Sequence, residues 1–131
     1  MAGTVTQSYT SIGHIRRVTL TCVADAADGS FPSTALTTKI EGRLLKLVTN
    51  PGATAPQANY DVALTDQHGS DVLQGLGANR HTSNTETAPL FYTGTSTHPS
   101  VDESDTLTLA VTGNNVNSAI TVIDLYYALG G

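Results

Sequence analysis

The chain has 131 residues, enough for one domain at the roughly 100 to 200 residues that a single core usually takes. Hydrophobic residues make up 39% and charged residues 13%, a balance that excludes a chain kept disordered by charge and low apolarity. The net charge is −5, and the six basic residues are scattered apart from the Arg16-Arg17 pair, which excludes the phosphate-tracking stripe that nucleic-acid binding needs.

The opening residues, MAGTVTQSYTSIG, are polar and β-prone. They hold neither the basic and apolar regions of a secretion signal nor the length of a membrane helix, so the expectation is a protein made in a cytoplasm, with no membrane partner. In RRVTLTCVA (residues 16–24) Val18, Leu20 and Cys22 alternate with Thr19, Thr21 and Val23, the period-2 pattern of a strand with one buried face. The lone cysteine, Cys22, then belongs to the buried face and is expected to act as a small hydrophobe rather than a nucleophile. DAADG (residues 25–29) reads as a solvated turn in preference to a cation loop, by the turn chemistry of Asp and Gly.

ALTTKIEGRLLKL is the nearest approach to helical spacing, but its β-branched residues and Gly42 argue against a helix. RLLKLVT (residues 43–49) predicts a strand apolar on both sides except for Lys46, stopped by Asn50-Pro51-Gly52. In NYDVALTDQHGSDVLQGLGANR (residues 59–80) the pattern predicts a strand over 60–65, a tight turn at Gln67-His68-Gly69-Ser70 and a second strand leading into a long arm. That arm, residues 76–105, has only PLFYTG able to form a short strand, and a connection so long is usually functional or irregular.

SDTLTLAVTG (residues 104–113) sets Leu107, Leu109 and Val111 against Thr106, Thr108 and Thr112. GNNVNS (residues 113–118) carries the residues of a tight turn and predicts a C-terminal hairpin with the last segment, AITVIDLYYAL. There Ile120, Val122, Asp124 and Tyr126 share one face, and Thr121, Ile123, Leu125 and Tyr127 the other. The sum is an all-β fold, an antiparallel β-sandwich with one long irregular arm, of which the jelly roll is one form.

Candidate chemistry centres on Asp61, Asp66, Asp71 and His68. Paired carboxylates act as acid and base only where they converge and their surroundings separate their pKa values. The spacing of Asp61 and Asp66 puts them on opposite faces of a regular strand. TDQHGSD, even with His81 added, matches neither the compact ligand spacing of zinc nor the oxygen-rich run of a calcium loop. A turn whose aspartates bond its own amides is the expected arrangement. GLGAN lacks the third glycine and the helix of a phosphate loop, and Ser70, Ser83, His14, His68, His81 and His98 form no nucleophile motif. No catalysis, metal or cofactor is expected.

The final strand is apolar on both faces, whereas a two-layer sandwich buries one. Either the loop over residues 76–105 covers its outer side, or it packs against another subunit. On the second branch the interface residues are Ile123, Leu125, Tyr126 and Tyr127, joined by Leu90, Phe91, Tyr92 and Arg80.

The succession NYDVALTDQHGSDVLQGLGANR, followed after a Ser/Thr-rich loop by SDTLTLAVTGNNVNSAITVIDLYY, resembles small β-rich virion proteins of tailed bacteriophages, over about the C-terminal half of the chain. The resemblance implies a non-enzymatic structural protein of the virion, assembled in the host cytoplasm. It implies a head decoration or cement protein, a homotrimer on the major capsid protein or other virion proteins, or else a tail or baseplate component. From the residues alone, a glycan-binding sandwich module using Tyr92, Tyr126 or the acidic loop is the alternative.

Overall fold

A computed structural model describes residues 3–37, 42–90, 100–101 and 107–128. Among these residues the chain is all β, with strands β1 (Thr4–Ile12), β2 (Ile15–Val23), β3 (Thr34–Ala35), β4 (Gly42–Pro51), β5 (Asp61–Thr65), β6 (Glu86–Pro89), β7 (Ser100–Val101), β8 (Thr108–Thr112) and β9 (Ile120–Ala128). All pairing is antiparallel. The larger sheet runs β1-β2-β9-β4-β6, with β7 also on β4, and the smaller runs β3-β8-β5.

The polar N-terminal segment becomes an edge strand because a two-residue turn folds it onto β2. Ile12 pairs with Ile15, and Gly13, with φ 61°, takes the first central position, which is the type II′ requirement that a side chain would oppose. Along β2 the alternation read from sequence holds: Val18, Leu20 and Cys22 are buried and Thr19, Thr21 and Val23 half-buried. Val18 lies opposite Leu125 and Leu20 opposite Ile123, so the inner faces of β2 and β9 form one apolar surface. Val62, Leu64, Leu109 and Val111 of the smaller sheet complete a single core with them.

Strand β4 departs from simple alternation. Its register against β9 shifts between Leu44 and Lys46, a bulge at Leu45 that turns both Leu44 and Leu47 inward and leaves Lys46 exposed. Its two apolar sides are therefore a bulged single face with half-buried Leu45 and Val48 beside it.

The expected C-terminal hairpin does not form. Strand β8 lies between β3 and β5, whereas β9 lies between β2 and β4, and residues 113–119 carry the chain from one sheet to the other. The turn residues act as expected, with Gly113 at φ 78° and Ser118 at φ 57°. Turn chemistry says that a chain bends, not which sheet receives it. Long-range bonds decide that here: Asn114 Nδ2 donates to Gly29 O at 2.7 Å, and Asn114 Oδ1 accepts from Gln57 N at 2.8 Å.

The long connection also holds more structure than expected. Its ETAP stretch is β6, paired along β4 from Lys46 to Thr49, and Ser100-Val101 pairs with Gly42-Arg43. Residues 91–94 of PLFYTG lie outside the described residues.

Candidate functional site

The segment over residues 59–80 is a clamp around β5. Val72 N donates to Leu64 O at 2.7 Å, Val62 N to Gly77 O at 2.8 Å and Arg80 N to Tyr60 O at 2.7 Å, so the returning chain runs along the free edge of β5. It does so as a series of turns with two isolated bridges, not as the second strand that was expected. Gln74 and Gly75 adopt φ 55° and 77°, left-handed values that interrupt a regular ladder.

Each acid of this segment accepts from the backbone. Asp66 Oδ1 takes His68 N at 2.9 Å and Ser70 N at 3.0 Å. The β-turn spans Asp66 to Gly69, one residue earlier than expected, closed by Gly69 N to Asp66 O at 3.0 Å. Asp71 Oδ1 takes Leu64 N at 3.1 Å and Leu73 N at 3.0 Å, while its Oδ2 takes Gly75 N at 2.9 Å. Asp61 Oδ1 takes Asn79 N at 2.9 Å. Asp25 and Asp28 behave alike in the DAADG turn, bonding Ala27 N at 2.6 Å and Ser30 N at 2.9 Å. The Ser70 amide holds the Asp66 carboxyl below its ordinary range, and the Ser30 amide does so for Asp28.

Those bonds draw the carboxylates to separate amides. Among the described residues no three of His, Cys, Asp and Glu converge as metal ligands. His14 and His68 are exposed in turns, His81 Nδ1 accepts from Ser83 N at 3.0 Å and Asn84 N at 2.9 Å, and His98 lies outside the described residues.

Four of the eight expected interface residues are buried within the chain itself. Ile123 and Leu90 are 0% exposed, Leu125 1% and Tyr127 4%. Their side chains are on the core side, so they are not available to a neighbouring chain; the alternation of β9 identified the face but not which side of it was inward. Phe91 and Tyr92 lie outside the described residues. Arg80 is tied within the chain: Nε and Nη2 donate to Ala78 O at 3.2 and 3.1 Å, and Nη1 stands 3.8 Å from Glu86 Oε1.

Four buried polar groups, those of Cys22, Tyr60, Thr121 and Thr49, belong to the core. Burial pushes the Cys22 thiol up to about 12, which removes the thiolate that a nucleophile needs. Tyr60 OH and Thr121 Oγ1 share a hydrogen bond of 2.8 Å inside the core, beside the buried Thr49 hydroxyl. Burial also raises the pKa of the Tyr60 hydroxyl.

Of the eight interface residues, Tyr126 alone stands on the outer face among those described. Here the strand register assembles what the linear order hid. Arg17 lies opposite Tyr126, Tyr126 opposite Lys46, and Arg43 opposite Ala128 two residues along β9. Lys46 Nζ sits 4.6 Å from the Tyr126 ring centroid, a cation–π contact. Basic residues that read as scattered therefore meet in one patch; the outward parity of Arg17 and Lys46 was legible, but the order β2-β9-β4 was not. Comparison of the chain with protein-family models, curated proteins and solved structures returned no match.

Proposed function

We propose that the chain is a non-enzymatic structural protein of a bacteriophage virion, a decoration or cement protein bound to the major capsid protein of the head shell. The observation that carries this reading is the strand order. From β2 to β6 successive strands alternate between the sheets, giving β2-β9-β4-β6 against β3-β8-β5. That wrap supports a jelly roll, an architecture of viral capsid and lectin domains.

Fold alone does not choose function. The reading gains support from the acids, whose oxygens hold the protein's own amides, and from the outer face of the larger sheet, a surface of Thr6, Thr21, Val122 and Tyr126 suited to contact over an area. The strand order equally fits lectin-like binding, so the experiment separates the two. Purified protein is sedimented with empty heads of the encoding virus and, in parallel, applied to a glycan array. Saturable retention on heads is the expected result. Retention on glycans without head binding would replace the reading with a glycan-binding module.

A further inference from the structure

We propose that the outer face of the larger sheet is a docking surface for a protein partner, and that Arg17, Arg43 and Lys46 around Tyr126 receive carboxylates of that partner. For the partner's identity, the inference rests on the virion reading above.

Neighbouring strands lie about 4.8 Å apart, so the backbones of Arg17 and Lys46, two strands apart across Tyr126, are separated by about 10 Å. Arg43 adds a third cation about 7 Å along the same strands. The protein carries a net charge of −5, and this patch reverses the sign locally. Among the described residues the ion pair is Arg80–Glu86, and none of the three cations is bonded to a carboxylate. Arg17 Nε is buried without a partner, and its Nη2 makes one long bond of 3.4 Å to Thr10 Oγ1. A guanidinium offers five donors in a fork that matches a carboxylate, and Arg17 commits one of them, at long range, within the chain. Asp124 is the acid on this face among the described residues; it lies two residues from Tyr126 and takes the Thr19 hydroxyl at 2.6 Å.

The rest of the face selects the kind of partner. Val23, Val48, Ile120 and Val122 are half-buried there, beside Thr19 and Thr21. A sulfated or phosphorylated polymer would engage the cations and leave these rows uncovered, whereas an acidic protein surface covers both. Four strands of nine or ten residues and the four-residue β6 present roughly 650 Å², approaching the ~800 Å² per partner of a standard interface. Arginine and tyrosine are also enriched where such interfaces concentrate their energy.

The test uses poly-L-glutamate as a carboxylate probe, followed by fluorescence anisotropy at low salt and at about 0.15 M salt, where the Debye length is about 8 Å. Wild-type protein is expected to bind it, and the Arg17→Gln/Arg43→Gln/Lys46→Gln variant to bind about tenfold more weakly with a shallower salt dependence. Lys46→Gln alone, at an exposed position, gives a smaller loss and guards against misfolding of the triple variant. A control with Ala53→Glu, Ala58→Glu and Ser83→Glu reaches the same net charge from exposed loops and is expected to keep most of the binding. No binding by wild type, equal binding by the triple variant, or equal loss in the loop control overturns the assignment. Tighter binding of heparin than of polyglutamate also overturns it, in favour of a sulfated glycan. The head-binding assay separates the two proposals. Heads retained equally by wild type and triple variant sink the docking face and leave the virion reading standing, whereas polyglutamate binding lost in the variant, with no head binding by either, does the reverse.

Discussion

Asp71 fastens three amides at once, two on Oδ1 and one on Oδ2, and so joins β5 to the turns that follow it. Asp71→Ala leaves those amides without their acceptor, and its expected destabilisation is about 2 kcal/mol in urea unfolding. Asp71→Asn keeps one acceptor oxygen and loses less. Asp66 supplies a pH dependence. Its carboxyl is held below the ordinary 3.8 when folded, so its stabilisation is present above that pH and is lost as pH falls through the lower folded value. The urea midpoint of wild type is expected to fall as the pH drops below about 4, and that of Asp66→Asn to fall less. Identical pH profiles would remove this role from Asp66. The turn role of these acids was legible because Asp beside Gly bonds nearby amides wherever the chain reverses. Arg80 was not: its partners, Ala78 O and Glu86, depend on how the returning chain sits against β5.

At the scale of elements, Asn114 ties the crossing from β8 to β9 to two other loops. Asn114 bonds Gly29 O and Gln57 N, and Asn115 N donates to Gln57 Oε1 at 3.1 Å, so three loops meet at one end of the sandwich. Asn114→Ala is expected to cost about 2 kcal/mol, with wild-type β content retained by circular dichroism; a change below a few tenths would show that the crossing stands without this latch. Gly29 adds a steric condition. At φ 77° it faces the Asn115 backbone, with no room for a Cβ. The buried faces of β2 and β8 could be read from alternation, because period-2 burial is a local property, whereas β9, apolar on both sides, showed two faces without showing which was inward. Sheet membership is not local, which is why Leu109 and Ile123, both buried, were placed in one hairpin when they belong to opposite sheets. The bulge at Leu45 was likewise hidden, since apolar residues at successive positions fit either register.

At the scale of the molecule, the chain buries one face of each sheet and leaves the broad outer face of the larger sheet half-exposed along β9, with Ile120, Val122 and Tyr126 in its middle. An acid-rich loop that looks like a site turns out to be internal architecture, and a row of cations that the sequence disperses becomes the most distinctive surface chemistry. Both results follow from pairing order, which sets neighbours across strands that lie far apart in the chain. The measurement that tests the account most directly is sedimentation of the wild-type protein with empty heads of its virus over a concentration series. The account predicts saturable binding at a fixed ratio to the major capsid protein, weakened by salt. Protein that stays in the supernatant at every concentration would contradict it.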